Sequence, residues 1–276
     1  MKLMDGVQIR NEFIKIYQKT IQENQLDICL VIIQVGDDFS SNTYVKNKVK
    51  YAELLGIQTQ VMKLEETITE EELIQKIEQL NNDSKVTGIL LQSPTPKHID
   101  FIKCVRMISP SKDVDALTEE NLFALRDHQE KILPCTVKGI LTLLEYYSIP
   151  LEGKRVVVVG RSALVGRPLV DALINRDATV TLCHSKTINL EAITKTADIL
   201  ICTVGKPNFI TKDMVKDGFI GIDVGINYLD GKITGDFSKE VEEKASYLTP
   251  VPGGVGPMTV AMVINNLIEL KMKTRK

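Results

Sequence analysis

Short β-branched apolar runs alternate with helix-patterned segments along this chain, and that alternation limits its fold more than any other feature. Ile28 to Val35 reads as a buried strand that ends in Gly36 and two aspartates. Asn42 to Leu55 follows as a helix closed by Gly56, and Ile57 to Leu64 as the next strand. Thr69 opens a T-E-E-E segment with Glu72 three residues on, a capping box for a helix that reaches about Asn81. Val86 to Leu91 is a third strand, ended by S-P-T-P. A βαβαβ unit of about 70 residues is the signature of a parallel sheet.

A second series starts after a connecting stretch. Val137 to Tyr147 reads as a helix and Arg155 to Val159 as a strand, apolar after its first residue. Helix Val165 to Asn175, strand Thr179 to Cys183, helix Leu190 to Thr196 and strand Ile199 to Thr203 continue the alternation. A strand at Phe219 to Val224 and a hairpin turning on Asp230-Gly231 come next. The segment Thr249 to Pro257, T-P-V-P-G-G-V-G-P, is too rich in Pro and Gly for regular structure, and Thr259 to Leu270 reads as a last apolar helix. The expectation is two α/β domains, with the final helix free to pack back on the first.

Composition excludes several classes. With 43% hydrophobic and 25% charged residues among 276, the chain has enough apolar side chain for a real core. A net charge of -2 removes the basic excess that non-specific nucleic-acid binding needs. No apolar run reaches the ~18 residues of a membrane helix, and Met1 to Arg10 lacks a signal-type core, so neither a membrane partner nor secretion is expected. Five cysteines without a C-x-x-C pair argue against disulfides and zinc, and three scattered histidines complete no ligand set, so no metal is expected. Cys29, Cys183 and Cys202 lie inside apolar runs and read as buried thiols.

The strongest local motif is V-V-V-V-G-R-S-A-L-V-G-R-P, Val156 to Pro168. Its strand–glycine turn–helix form suits a dinucleotide pyrophosphate at a helix N-terminus, although Ser162 and Val165 take the second and third glycine positions of G-x-G-x-x-G. The plain alternative is a tight turn that binds nothing. About twenty residues on, where a NAD site places an acid, Cys183-His184-Ser185-Lys186 offers none. A hydroxyl and a cation there, with Arg161, suit the extra ribose phosphate of NADP. The small-residue strand ends Thr203-Val204-Gly205 and Asp223-Val224-Gly225-Ile226 suit the nicotinamide half.

In the first series, Tyr44 and Lys48 stand at i and i+4 and share a helix face, and Gln92 follows the third strand. A lysine in an apolar cleft can lose its proton and act as acid or base, and a tyrosine can stack on an aromatic ligand. Taken alone, the pair reads more simply as solvated. K-D-V-D, Lys112 to Asp115, reads alone as a solvated loop or a helix cap.

Together these residues resemble the bifunctional methylenetetrahydrofolate dehydrogenase/methenyltetrahydrofolate cyclohydrolase family. The matching segments are S-N-T-Y-V-K-N-K-V-K (41–50), G-I-L-L-Q-S-P-T-P (88–96), P-S-K-D-V-D-A-L (110–117), P-C-T-V-K-G-I (134–140), V-V-G-R-S-A-L-V-G-R-P (158–168), T-V-T-L-C-H-S-K-T (179–187), I-D-V-G-I-N (222–227) and T-P-V-P-G-G-V-G-P-M-T (249–259). The resemblance implies two α/β domains flanking a cleft: a folate-binding catalytic domain at 1–118 plus 258–276, and a Rossmann-type NADP-binding domain at 119–257. It implies oxidation of methylenetetrahydrofolate by NADP, then hydrolysis of the methenyl product to formyltetrahydrofolate. Lys48 matches the essential lysine, Gln92 the glutamine that tunes it, Tyr44 the tyrosine that stacks on folate and Asp115 the residue that binds the pterin. Gly160, Arg161, Ser162, Ser185 and Ile226 match nucleotide contacts, and Pro252, Gly253 and Gly254 belong to the loop that lines the folate cleft. The family pairs as homodimers through its nucleotide domain, and a cytoplasmic location is expected.

The chain departs from the family pattern at several positions. Ser93 and Thr95 replace the leucines of Q-L-P-L-P, Ala116 the glycine of K-D-V-D-G, Phe123 the glycine of N-x-G-x-L and Val137 the second proline of P-C-T-P. These changes bear on folate affinity and on the balance of the two activities. A dehydrogenase that has lost its cyclohydrolase, and a nucleotide-binding protein without turnover, are the competing readings.

Overall fold

The computed structural model describes residues 1–229 and 231–274. In chain order the elements are β1 (Lys2–Leu3), α1 (Gly6–Glu23), β2 (Cys29–Val35), α2 (Phe39–Leu54), β3 (Gln58–Leu64), α3 (Glu70–Asn82), β4 (Gly88–Leu91), α4 (Phe101–Arg106), α5 (Glu119–Arg126) and α6 (Cys135–Tyr146). They continue with β5 (Arg155–Val159), α7 (Gly166–Ile174), β6 (Thr179–Cys183), α8 (Leu190–Thr194), β7 (Ile199–Cys202), β8 (Ile220–Asp223), β9 (Asn227–Leu229), β10 (Lys232–Thr234), β11 (Tyr247–Leu248) and α9 (Val255–Lys273). Among the described residues no helix is long and apolar enough to cross a membrane.

The chain divides into two compact units. The first holds Glu12–Cys135 and Val260–Lys276, the second Met1–Asn11 and Thr136–Thr259. Beside the expected 1–118 plus 258–276 and 119–257, this division has Met1–Asn11 and residues 258–259 in the second unit and residues 119–135 in the first. The N-terminus goes with the second unit because β1 pairs in parallel with β11, Lys2 opposite Tyr247, and Met4 N–H donates to Leu248 O at 2.9 Å. Residues 119–135 go with the first, because Asp113 accepts from Thr118 N–H and Asn121 Nδ2 at 2.8 and 2.9 Å, and Asn266 Nδ2 donates to Leu133 O at 2.9 Å.

In the first unit β3-β2-β4 form an all-parallel sheet, with Ile32 opposite Val61 on one side and Leu90 on the other. Central strand β2 is buried from Leu30 to Ile33, as a parallel strand covered on both faces must be. The capping box is present: Thr69 Oγ1 accepts from Glu72 N–H and Glu72 reaches back to Thr69 N–H. Helix α3 buries Leu73, Ile77 and Leu80, one stripe at helical spacing. Segment 112–114 lies beside β4, Ile89 N–H donating to Lys112 O at 2.7 Å, so K-D-V-D is an added edge rather than a free loop.

In the second unit the sheet order is β1-β11-β8-β7-β5-β6, every pair parallel. Val156 to Val159 and Ile199 to Cys202 are at most 1% exposed and fill its centre. From β5 the chain goes to β6 on one side and to β7 on the other, which makes a topological switch point at their carboxyl ends. Strands β9 and β10 pair antiparallel as the expected hairpin, Asn227 opposite Thr234, while Asp230 lies outside the described residues.

Three further differences have physical causes. α9 begins at Val255, inside the segment read as irregular, because Pro257 is its third residue, where no intrahelical N–H bond is required. α1 was not expected; Asp5 Oδ1 caps it by accepting from Val7 and Gln8 N–H at 2.8 and 3.0 Å. Cys183 and Cys202 are buried as read, whereas Cys29, at the start of β2, is only half-buried.

Asn266 is fully buried in α9 and its Nδ2 donates to Val114 O at 2.8 Å as well as to Leu133 O. Asn266→Ala leaves both carbonyls without that donor. It should cost about 2–3 kcal/mol, read as a lower urea midpoint at unchanged slope.

Candidate active site

The first unit places its reactive groups where a parallel sheet collects loops, at the carboxyl ends of β2 and β4. Helix α2 follows β2 and starts with Asp38 accepting from Ser41 N–H at 2.7 Å. One turn apart on α2 lie half-buried Tyr44 and buried Lys48. Gln92 is the first residue after β4, and its Oε1 accepts from Lys48 Nζ at 3.0 Å. Its other end is held too: Gln92 Nε2 donates to Ser93 O at 2.6 Å, and Ser41 Oγ donates to the same oxygen at 3.3 Å.

Lys48 is 6% exposed, and burial pushes its pKa down because the charged form loses its hydration. The charge of Asp115 opposes this, and Cys135 adds a smaller effect of the same sign. Asp115 comes level with the end of β4, two residues past the Ile89–Asp113 bridge, and is half-buried. The pair of carboxylates in K-D-V-D is thus divided. Asp113 is buried, accepts from Thr118 N–H and Asn121 Nδ2 at Oδ2, and has its pKa raised by burial, whereas Asp115 is half-buried and acts on Lys48 as a charge. The tyrosine and lysine are not a solvated pair, since Lys48 is buried against Gln92.

The second unit carries a cavity of about 460 Å³ at its switch point, lined among others by Gly160, Arg161, Ser185, Thr203 and Lys206. Gly160 has φ +120°, and a methyl there would sit 2.6 Å from Thr203 Oγ1. A methyl at Gly166 would lie 2.0 Å from Gly160 O, so the late glycine of the motif lets α7 start against the turn. Ser162 lies outside the cavity lining; its Oγ accepts from the N–H groups of Val165 and Gly166 at 3.2 and 3.3 Å and caps α7. Ile226 also lies outside that lining, 38% exposed in the loop after β8. Lys186 is exposed and does not line the cavity, whereas Lys206, which the sequence reading passed over, does.

The cavity fits a nucleotide with an extra phosphate. Among the described residues its lining carries the charges of Arg161 and Lys206 and no carboxylate. Among them too, Thr203 Oγ1 is buried there without a hydrogen-bond partner, a polar atom available to a ligand.

Comparison with known proteins shows the family. The family model for the tetrahydrofolate dehydrogenase/cyclohydrolase catalytic domain matches residues 4–115, and that for the NAD(P)-binding domain of the same family matches 134–275. The chain belongs to the tetrahydrofolate dehydrogenase/cyclohydrolase family. A relative from Thermodesulfovibrio yellowstonii, named bifunctional protein FolD, is 47% identical over 272 residues, 97% of this chain and 95% of that protein. The crystal structure of the bifunctional enzyme FolD from Campylobacter jejuni, a methylenetetrahydrofolate dehydrogenase/cyclohydrolase, superposes with a TM-score of 0.96 at 43% identity and covers 100% of both chains. The FolD of Trypanosoma brucei, solved with NADP and an inhibitor, gives 0.94 at 32% identity, over 99% of this chain and 98% of that one.

The departures from the tetrahydrofolate dehydrogenase/cyclohydrolase pattern are absorbed locally. Ala116 adopts φ +52°, the left-handed region that the family's glycine serves, at a cost of about 1 kcal/mol, and is buried directly after Asp115. Thr95 Oγ donates to Ile99 O at 3.3 Å, so its hydroxyl is satisfied within its own turn. Val137 is buried in the first turn of α6, where proline is allowed but not needed. Phe123 is 69% exposed on α5. None of these changes touches the bond between Lys48 and Gln92. Pro252, Gly253 and Gly254 form the turn into α9 in the second unit, where Gly253 O accepts from Gly6 N–H at 2.9 Å.

Proposed function

We propose that this chain is a bifunctional enzyme of tetrahydrofolate one-carbon metabolism. It oxidises 5,10-methylenetetrahydrofolate to the 5,10-methenyl cation with NADP, and then hydrolyses that cation to 10-formyltetrahydrofolate. The observation that carries the reading is Lys48: a buried amine with a depressed pKa, held 3.0 Å from Gln92 in a family whose members are named for both activities.

NADP, when bound, accepts the hydride that leaves the methylene bridge of the folate. The chain supplies placement for this step rather than acid or base. The open backbone at Gly160 suits the pyrophosphate, and Arg161, Ser185 and Lys206 would hold the extra ribose phosphate. Ser162 acts on the same turn through its cap on α7, and Ile226 is assigned to the nicotinamide half by family resemblance. Tyr44 offers its ring to the folate, and Asp115 binds the pterin. Pro252, Gly253 and Gly254 are assigned to substrate contact on the same ground.

Hydrolysis needs proton management. As water attacks the methenyl carbon, neutral Lys48 takes a proton from it. One water proton ends on the departing folate nitrogen and the other reaches solvent, which discharges the cation. Gln92 keeps Nζ in place throughout, its own amide held by Ser93 O. The intact pair favours this reading over a dehydrogenase that has lost its cyclohydrolase. A homodimer in the cytoplasm completes the proposal, on the pattern of the family.

Mixing protein, methylenetetrahydrofolate and NADP should raise NADPH absorbance with little methenyl build-up. Lys48→Met should abolish formation of formyltetrahydrofolate while leaving much of the hydride transfer. Equal decay of added methenyltetrahydrofolate by wild type and variant removes Lys48 from this role. Because burial lowers the Lys48 pKa and the neutral amine is the base, enzymatic hydrolysis, corrected for the uncatalysed rate, should fall as the pH is lowered and Lys48 takes up a proton. A flat acid limb contradicts that. Arg161→Ala should raise the KM for NADP about tenfold or more and leave that for NAD nearly unchanged, the loss of one charge-assisted phosphate contact.

A further inference from the structure

Two carboxylates are buried in the second unit beside the nucleotide cavity, and neither step above uses them. Asp236 is 0% and Asp223 4% exposed. Among the described residues neither forms an ion pair. Their charge is met by N–H groups instead. Asp236 Oδ2 accepts from Val204 N–H at 2.8 Å and Gly205 N–H at 3.1 Å, and its Oδ1 from Lys206 N–H at 2.8 Å and Asn227 Nδ2 at 3.1 Å. Asp223 Oδ1 accepts from Gly225 N–H at 3.0 Å and Asp236 N–H at 2.9 Å, and its Oδ2 from Phe237 N–H at 3.0 Å.

The two acids interlock with two glycines. A methyl at Gly225 would lie 2.1 Å from Asp236 Oδ1, and one at Gly235 would lie 1.9 Å from Asp223 Oδ2. Each carboxylate therefore packs flat on the backbone of the other's strand end, and neither loop can shift alone. Consecutive N–H groups converging on one anion also fix the backbone that bears them. That backbone is functional: Thr203, Val204 and Lys206 line the cavity, and Ile226 stands between Gly225 and Asn227. Burying two like charges is costly, and burial pushes the Asp223 carboxyl up to about 6. An apolar core would close this sheet edge without that cost. It would not bind three successive N–H groups.

We propose that Asp236, itself held by Asp223, is a positioning residue for the nucleotide. It joins the 203–206 wall of the cavity to the Ile226 loop, so that the nicotinamide half of NADP meets a preformed surface. The inference rests on the reading of this cavity as the NADP site.

The test uses the full-length protein. Asp236→Asn keeps the shape but turns one acceptor oxygen into an NH2 group facing N–H donors. The KM for NADP in the dehydrogenase assay, and the NADP Kd by calorimetry, should each rise about tenfold or more, the scale of one lost charge-assisted hydrogen bond. Hydrolysis of added methenyltetrahydrofolate without nucleotide should stay within about twofold, since it uses Lys48 and not this loop; a merely structural role lowers both together. Asn227→Ala removes one donor from a half-buried side chain and should raise the KM for NADP about threefold. It decides the matter if Asp236→Asn does not fold. Wild type that binds NADP beside variants with unchanged KM and Kd overturns the positioning role alone. Wild type that does not bind NADP overturns the cofactor reading and this inference with it.

Discussion

Parallel pairing is the constraint on which both candidate sites depend. A parallel strand cannot hand the chain to its neighbour through a tight turn, so each strand is followed by a crossover, and all carboxyl ends face one edge. Where the strand order reverses, the crossovers leave in opposite directions and a crevice opens. The chain does this once in each unit, between β2 and β4 and between β5 and β7. Lys48 and Gln92 come from the first edge, and Gly160 and Thr203 from the second.

What happens at those edges is governed by desolvation. Charged groups that lose water must shift their pKa, find a counter-charge or collect dipoles. Lys48 shows the first outcome, its pKa lowered and its one described side-chain partner the neutral amide of Gln92. Asp236 shows the third, and Asp223 both the first and the third. Burial thus has opposite results in the two units: an amine whose proton is loosened in one, and carboxylates tied to backbone N–H groups in the other. Asp113 belongs with the structural acids, although a single residue separates it from Asp115.

Much of this was legible in the chain itself. The strands Arg155–Val159 and Thr179–Cys183 coincide with their expected limits, because a β-branched run closed by Gly or a polar cluster has few other places to go. The capping box at Thr69 was readable since its donors and acceptors lie within four residues. The motif residues Gly160, Arg161 and Ser185 do line one cavity. Other parts were illegible. Ser162 matches a nucleotide contact by resemblance, and no spacing announces that its hydroxyl also accepts from Val165 and Gly166 N–H at the start of α7. Lys206 directly follows the strand end Thr203-Val204-Gly205, whose small residues give no sign that the next side chain turns into the cavity. Asp236 meets Val204, 32 positions away in the chain, and no local pattern announces such a pair.

The sequence by itself determined the alternation of strands and helices, the parallel class and the family, because each of these is written in short-range spacing or in contiguous motifs. Only the tertiary structure decided which charges are buried and what meets them. It placed the N-terminal strand in the six-stranded sheet and separated Asp113 from Asp115. It left Lys48 with Gln92, and it closed Asp223 and Asp236 on the loops beside the nucleotide cavity. Burial and long-range hydrogen bonding are properties of residues far apart in the chain, and they exist only once the sheets have assembled.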